Sequence, residues 1–207
     1  MSLPITVLTI GPEYNGSMYL YHNAEKSADL FETVISSKFP CNLIRLRGSS
    51  STSENIIKTI SLLSKLTNEE CQRIIIYYSG HGNNVGSKEY WQTSSGIVDQ
   101  IKISELVNNM KPLVIVISDS CSSEHMVSAK FIKHPYISLG ATSHYQDAMM
   151  TGDGGLFTLE LTRIIKEFSG NFSFHDLIGR IIDDKIEIET FSVSYSSESL
   201  LEEMFIP

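Results

Sequence analysis

The segment from Pro112 to Cys121, PLVIVISDSC, constrains the fold of this chain more than any other. Its five consecutive branched apolar residues, Leu113 to Ile117, show no alternation with polar residues, which predicts a strand buried on both faces. Such strands lie in the middle of parallel sheets that are covered by helices. Asp119 and Cys121 follow this strand, so a carboxylate and a thiol are expected at the carboxyl edge of the sheet, where open α/β sheets bind ligands.

A second strand of the same kind, Arg73 to Tyr78, leads into Ser79-Gly80-His81-Gly82 and places an imidazole at the same edge. The thiolate is the reactive form of Cys, and an ordinary thiol with a pKa of about 8.5 holds little of it at neutral pH. A nearby imidazole can take the proton and later deliver it to a leaving amine. The glycines allow a substrate close to the backbone, and the amides of Gly82 and Cys121 can bind an oxyanion. This pattern predicts a hydrolase that forms a thioester on Cys121.

Strands alternate with helices along the chain, which predicts an α/β fold with a central, mostly parallel sheet of about six strands and helices on both faces. The predicted strands are Leu3 to Ile10, Asn42 to Leu46, Arg73 to Tyr78, Leu113 to Ile117, Tyr136 to Ala141 and Ile186 to Tyr195. The predicted helices are Asn23 to Ser37, Glu54 to Lys65 with Ser53 as its cap, Ile103 to Met110, Leu156 to Phe168, and Phe174 to Lys185 with Ser173 as its cap. A small exposed hairpin is expected within Asn83 to Ser95, a functional loop at Thr142 to Gly155, and a closing segment at Leu200 to Ile206.

Length and composition predict a single domain over residues 1–207, without a prodomain. The 16 basic and 24 acidic residues give a net charge of −8, spread without blocks, which argues against nucleic-acid and membrane partners. Cys41, Cys71 and Cys121 are too few for a disulfide framework or a paired-Cys zinc site, so we expect a reducing, cytoplasmic location. The N-terminus has the pattern of a strand rather than of a signal peptide, and no apolar run approaches the ~20 residues that span a bilayer.

The two sheet-edge segments resemble the caspase-like cysteine peptidases, and specifically the metacaspases. The resemblance rests on Tyr77-Tyr78-Ser79-Gly80-His81-Gly82, followed by Asp119-Ser120-Cys121 after an apolar strand. Three weaker similarities are Gly11 to Ser17 with the family's opening loop, Gly155 to Thr158 with its late helix start, and Phe174 to Leu177 with its penultimate helix. The resemblance implies a three-layer caspase-like sandwich over nearly the whole chain. It also implies a dyad, with His81 as general base and Cys121 as nucleophile, that requires no third carboxylate.

The same resemblance implies a preference for basic substrates. Caspases have Gln two residues before the nucleophile and an arginine-lined pocket for Asp, whereas metacaspases have Asp there, facing a Lys or Arg side chain. This chain has Asp119 at that position, and Ser79 matches a pocket-lining Ser of the family. Because a desolvated carboxylate pairs favourably with ammonium or guanidinium, we expect cleavage after Arg or Lys. Ser120 and Asp147 are further candidate substrate-binding residues.

Other positions depart from the metacaspase pattern. The family continues Cys-His-Ser-Gly after the nucleophile, whereas residues 121–124 are Cys-Ser-Ser-Glu. Where the family has an Asp in the hairpin, this chain has Thr-Ser-Ser at 93–95, and the nearest acid is Asp99. The early Asn-Asp-Ala motif is degraded around residues 22–28, and Ser128 replaces one acid of the family's calcium site. Calcium needs six or more oxygen ligands, some of them charged, so we expect no cofactor and disfavour calcium activation.

Other interpretations of these residues are possible from the sequence alone. Cys121 alone could be a packing residue, but the His81 motif on a neighbouring strand favours catalysis. A metal cluster of Cys121, Glu124 and His125 is disfavoured because no further ligands lie at metal spacing. Two functions remain as alternatives to a peptidase: a catalytically silent caspase-like scaffold that binds another protein, and a non-peptidase Cys hydrolase such as a deamidase. The expected partners are protein or peptide substrates, with self-processing after Lys130 or Lys133 as a further hypothesis.

Overall fold

The computed structural model describes residues 5–14, 23–124, 126–127, 130, 132–183 and 191–206. Its strands are β1 (Ile5–Pro12), β2 (Asn42–Gly48), β3 (Arg73–Ser79), β4 (Gly82–Val85), β5 (Lys88–Gln92), β6 (Ile97–Asp99), β7 (Leu113–Asp119), β8 (Tyr136–Gly140), β9 (Met150–Thr151), β10 (Gly154–Gly155) and β11 (Ser192–Tyr195). Its helices are α1 (Asn23–Lys38), α2 (Ser53–Leu63), α3 (Gln100–Asn108), α4 (Leu156–Glu167), α5 (Phe174–Asp183) and a 3₁₀ helix at Glu198–Glu202.

Six of the described strands form the main sheet, in the spatial order β2-β1-β3-β7-β8-β11. Neighbouring strands run parallel, except that β11 runs antiparallel to β8. This confirms the predicted α/β fold with a mostly parallel central sheet. Strands β3 and β7 lie side by side, with Ser79 opposite Asp119. The segments that follow these two strands therefore begin at the same edge of the sheet.

Helices cover both faces of the sheet, which confirms the predicted three layers. Side chains of α1, α4 and α5 pack in one hydrophobic core, and those of α2 and α3 pack in a second. Strand β3 contributes to both cores because side chains alternate along a strand: Ile75 and Tyr77 point into the first, whereas Ile76 and Tyr78 point into the second. A strand buried on both faces is rigid, so it fixes the position of the residues that follow it.

Two of the five predicted helix starts are corrected by the structure, and the starts at Asn23, Leu156 and Phe174 are confirmed. The cap of α2 is Thr52, which has extended backbone and accepts a hydrogen bond from the Asn55 amide, so Ser53 already lies in the helix. Helix α3 begins at Gln100, earlier than predicted, because the Asp99 side chain caps it. Ser173 caps α5 as predicted, since its Oγ accepts a hydrogen bond of 3.0 Å from the Asp176 amide.

The predicted hairpin is a three-stranded antiparallel sheet, β4-β5-β6, and the prediction that it is exposed was wrong on one face. Trp91 is fully buried, stacks on Tyr78 with ring centroids 4.6 Å apart, and donates a hydrogen bond of 2.8 Å to Ser118 Oγ. Alternation along β5 explains this, because Trp91 faces the second core while Tyr90 and Gln92 face the other way. The small sheet is thus packed firmly beside the carboxyl edge of the main sheet.

Some predicted features fall outside the described residues. They are the start of the first strand at Leu3, residues 15–17 of the opening loop, His22, His125, Ser128, the end of the last predicted helix and residues 186–190 of the sixth strand. The closing segment is described: Phe205 is buried, and its amide donates a hydrogen bond to the Phe172 carbonyl. Across the described part of the chain, no helix combines the length and the apolar character that a membrane crossing requires.

Candidate active site

A cavity of about 230 Å³ lies at the carboxyl edge of the main sheet. The described residues that line it are Tyr14, Ala24, Gly80, His81, Asp119, Cys121, Asp147, Ala148 and Met150. The structure thus brings together four of the residues singled out from the sequence: His81 after β3, Asp119 and Cys121 at the end of β7, and Asp147 after β8. Because β3, β7 and β8 are neighbours in the sheet, their following segments meet around one space.

Two tyrosines hold the backbone of His81 in place. The His81 amide donates a hydrogen bond of 2.7 Å to Tyr14 Oη, and Tyr78 Oη donates one of 2.7 Å to the His81 carbonyl. The Tyr14 ring also packs on the imidazole, with centroids 4.5 Å apart. Gly80 is required here, because a Cβ at this position would collide with Tyr14 Oη.

Burial determines the protonation states of His81 and Tyr14. Burial lowers the pKa of His81, so its imidazole is neutral near pH 7 and able to accept a proton. Burial also raises the pKa of Tyr14 to about 12, so its phenol keeps its proton and can donate the 3.1 Å hydrogen bond to the Gln92 carbonyl. The contacts of Tyr14 and Tyr78 therefore persist across the range of pH in which His81 titrates.

Cys121 is half-buried, and its sulfur accepts a hydrogen bond of 3.2 Å from the Ala148 amide. Burial raises the pKa of the Cys121 thiol, and the carboxylate of Asp147 raises it further, whereas the Ala148 amide lowers it. The net direction is upward, so the resting side chain is a thiol rather than a thiolate at neutral pH. A base that removes its proton is therefore needed before the sulfur can act as a nucleophile.

The Asp147→Asn variant is expected to make Cys121 more reactive, because it removes a negative charge that opposes ionisation of the thiol. The rate of alkylation by iodoacetamide should rise several-fold at pH 7, and the midpoint of its pH profile should move to lower pH. Asp153→Asn is the matched control, since Asp153 is an exposed acid of the same loop that does not line the cavity. A midpoint that stays in place or moves to higher pH in Asp147→Asn would contradict this electrostatic role.

Asp119 is almost fully buried and faces the same cavity. Its Oδ2 accepts hydrogen bonds from the amide and hydroxyl of Thr158, in the first turn of α4. Its Oδ1 has no hydrogen-bond partner within the part of the chain that the structure describes. Burial raises the pKa of Asp119 from 3.8 to about 6, so the carboxylate is charged at neutral pH. A buried carboxylate with one free oxygen is suited to pair with a cation.

The other predicted site residues, Ser79, Ser120 and Gly82, are not among the described residues that line the cavity. Ser79 is fully buried, and Ser120 Oγ hydrogen bonds to Ser118 Oγ at 2.9 Å within a buried network. Their roles in substrate binding therefore stay predictions. Gly82 lies against the nucleophile segment, since a Cβ there would collide with the Cys121 carbonyl. The predicted oxyanion-binding role of the Gly82 and Cys121 amides stays a prediction.

No group of three or more His, Cys, Asp or Glu side chains is placed to hold a metal ion in the described ranges. Glu124, one candidate ligand, accepts a hydrogen bond from the His144 amide, and His125 and Ser128 lie outside those ranges. His144 itself contacts the fully buried Glu89 carboxylate through Nδ1, at 2.7 Å. These two contacts anchor the loop that carries Asp147 and Ala148.

Sequence reasoning missed three groups of this site. Tyr14 follows β1, whose carboxyl end meets the same edge as those of β3 and β7, so its position along the chain was an available signal. Thr158 was noted only as part of a motif, without its bond to Asp119. The Ala148 amide carried no signal, because a backbone donor has no residue type that marks it.

Comparison with known proteins is consistent with this geometry. The model of the caspase domain family matches residues 6–190. A crystal structure of a protein from Geobacter sulfurreducens is similar with a TM-score of 0.74 at 15% identity, covering 98% of this chain and 97% of that chain. The Drosophila initiator caspase Dronc is similar with a TM-score of 0.67 at 11% identity, covering 92% of this chain and 78% of that chain. A search of curated proteins gave no match. The family match extends over most of the sequence and includes every described residue that lines the cavity, and the chain therefore belongs to the caspase domain family of cysteine peptidases.

Proposed function

We propose that the protein is a cysteine endopeptidase that cleaves peptide bonds after Arg or Lys. The observation that supports this most directly is the composition of one cavity. It contains a thiol (Cys121), a neutral imidazole (His81), and a buried carboxylate with one unpaired oxygen (Asp119). The first two groups supply nucleophile and base, and the third supplies a partner for a cationic side chain.

The reaction proceeds by acyl transfer to sulfur. His81 removes the proton of Cys121, and the sulfur attacks the carbonyl carbon of the substrate. The amides of Gly82 and Cys121 bind the resulting oxyanion. When this intermediate collapses, the carbon–nitrogen bond breaks and His81 gives its proton to the leaving amine, which leaves a thioester. Water, deprotonated by His81, then attacks the thioester and releases the acid, and the proton returns to the sulfur.

Asp119 accounts for the preference for basic residues. Its carboxylate is already desolvated in the folded protein, so part of the cost of pairing it with a cation is met before the substrate arrives. A guanidinium or ammonium group that reaches Oδ1 gains a charge-assisted hydrogen bond. An acidic side chain in the same position would face this carboxylate and be repelled.

The test is a panel of fluorogenic peptides that differ only in the residue before the cleaved bond, assayed with and without calcium. We expect Arg or Lys peptides to be cleaved at least about 100-fold faster than Asp or Leu peptides. An electrophilic ketone with Arg should label the wild type and Cys41→Ala, but not Cys121→Ala.

The other outcomes of this test would favour one of the alternative functions. Labelling without turnover of any peptide would favour a Cys hydrolase of another substrate, such as a deamidase. Absence of labelling would favour a silent scaffold. Lys130 and Lys133 are exposed, so self-cleavage after either residue remains a hypothesis that the intact mass of long-incubated protein can check.

A further inference from the structure

A second cavity, of about 500 Å³, opens beside the candidate active site. We call it the hairpin groove, and its described lining residues are Tyr14, Tyr90, Gln92, Thr93, Ser94, Gly96 and Ile97. Tyr14 lines both cavities, so its side chain forms their shared wall. None of the described residues that line the hairpin groove carries a charge.

Strand alternation determines which side chains face this groove. Trp91 and Val98 pair across β5 and β6 and are buried against the core, so the neighbouring pair, Gln92 and Ile97, points the other way. Ile97 is 52% exposed, so its side chain offers apolar surface on this face. Asp99 lies on this face as well, but its carboxylate caps α3 by accepting a hydrogen bond from the Lys102 amide.

Backbone hydrogen bonds hold the end of the groove in a fixed shape. The turn at residues 93–96 is closed by a bond of 3.0 Å from the Thr93 amide to the Gly96 carbonyl. Two more bonds tie the turn to the start of α2: the Ser94 amide donates to the Ser51 carbonyl, just before the helix, and the Ser53 amide, in its first residue, donates to the Ser95 carbonyl. A groove built in this way is formed before any ligand binds, as is usual for binding sites.

The strand order gives the direction in which a substrate crosses the sheet edge. Across that edge, Asp147 follows β8, Cys121 follows β7, His81 follows β3 and Tyr14 follows β1. His81 must reach the amine that leaves, so the departing part of the substrate lies on the His81 side of Cys121. Beyond His81 on that side lie Tyr14 and then the hairpin groove.

The spacing of strands indicates which residues of the substrate reach the groove. Neighbouring strands lie about 4.8 Å apart, so the end of β1 is roughly 10 Å from the end of β7. An extended chain covers about 3.4 Å per residue, so it crosses this span in about three residues. The second and third residues after the cleaved bond are therefore the ones that pass Tyr14.

We propose that the hairpin groove binds the second or third substrate residue after the cleaved bond and selects a large uncharged side chain there, aromatic or aliphatic. This inference rests on the proposed endopeptidase function. Tyr14, Tyr90 and Ile97 offer apolar surface to such a side chain. A charged side chain would lose water there without gaining a charged partner from the described lining.

The experiment uses internally quenched peptides with Arg before the cleaved bond and one varied residue at the first, second or third position after it. At the second or third position we expect Phe or Leu to give kcat/KM at least about tenfold above Glu or Lys, since a hydrophobic pocket discriminates by roughly this factor. In Ile97→Lys, the ratio of kcat/KM for the Glu peptide to that for the Phe peptide should rise at least about tenfold. Because this ratio compares two substrates of one enzyme, a general loss of activity cancels.

Leu62→Lys is the matched control, because Leu62 is also 52% exposed and lines neither cavity. Its Glu to Phe ratio should equal that of the wild type. Cleavage after Arg with equal rates for every following residue would overturn this inference alone, as would an unchanged ratio in Ile97→Lys. A library in which no peptide is cleaved would overturn the proposed function, and this inference with it.

Discussion

Replacement of Cys121 or of His81 with Ala is expected to lower kcat/KM for an Arg or Lys peptide by at least about 10³-fold. Cys121→Ala removes the atom that forms the thioester. His81→Ala leaves a thiol whose pKa is raised by burial and by Asp147, without a base to ionise it. The double variant should be hardly less active than either single one, because residues that act as one unit have non-additive effects. Steady-state rates on the fluorogenic Arg peptide measure all three.

The controls for this prediction separate chemistry from folding. Cys41→Ala changes a half-buried Cys that lies away from the cavity, so it should retain turnover. Thermal unfolding of His81→Ala should stay close to that of the wild type, because the hydrogen bonds of Tyr14 and Tyr78 are made with the backbone of His81 and are retained. Since burial lowers the pKa of His81, activity should persist to a lower pH than an ordinary imidazole would allow. A His81→Ala protein within tenfold of wild-type activity would exclude the imidazole as the base.

Asp119→Asn is expected to reduce kcat/KM for Arg and Lys peptides by about 100-fold or more, because a cation in the cavity would lose its charged partner. The comparison substrate replaces Arg with citrulline, which has the same shape without the charge, and its cleavage should change little. Asp147→Asn is the matched comparison, since it removes the other carboxylate that lines the cavity. If Asp147→Asn abolished the preference for Arg over citrulline and Asp119→Asn did not, the assignment of the basic pocket to Asp119 would be wrong.

The pH dependence of this preference has a definite sign. The pKa of Asp119 is about 6, so its carboxylate is charged above this pH and neutral below it. The ratio of kcat/KM for Arg to that for citrulline should therefore fall as the pH is lowered through about 6. In Asp119→Asn the ratio should be low and independent of pH over the same range.

In the absence of substrate, Asp119→Asn should raise the free energy of unfolding at neutral pH. Because the folded-state pKa of Asp119, about 6, lies above its ordinary value of 3.8, the folded state binds the proton more tightly than the unfolded state. The free energy of unfolding should thus fall as the pH rises from 4 to 6 and stay lower above that. Asp119→Asn removes this loss, which is on the order of 3 kcal/mol at neutral pH. Urea unfolding of the wild type and of Asp119→Asn at pH 5 and pH 8 measures this difference in the free energy of unfolding.

Strands with a continuous apolar pattern were predicted well, because burial on both faces leaves a local signature. Leu113 to Ile117 and Arg73 to Tyr78 were placed correctly, and their order in the sheet brings His81 and Cys121 to one cavity. Trp91 was not predicted correctly. Its segment is rich in turn-forming residues, and the indole is buried through contacts with Tyr78 and Ser118, which are distant in sequence.

Roles that depend on residue type were easier to predict than the environment of those residues. Asp119 was identified from its place two residues before Cys121, but its raised pKa comes from burial, which outweighs the opposing hydrogen bonds from Thr158. The raised pKa of Cys121 comes from burial and from Asp147, against the opposing hydrogen bond from the Ala148 amide, and both of these residues lie on the loop that follows β8. Such long-range contacts are set by tertiary packing, so the local sequence pattern does not predict them.

The protonated state of Cys121 has a consequence for the lifetime of the protein. Hydrogen peroxide oxidises thiolates far faster than thiols, and the steps beyond sulfenic acid are irreversible in most proteins. A sulfur whose proton is retained by burial and by a neighbouring carboxylate is therefore expected to be oxidised more slowly than a thiolate. We expect a larger fraction of Cys121 to remain reduced during exposure to peroxide than an ionised thiolate would.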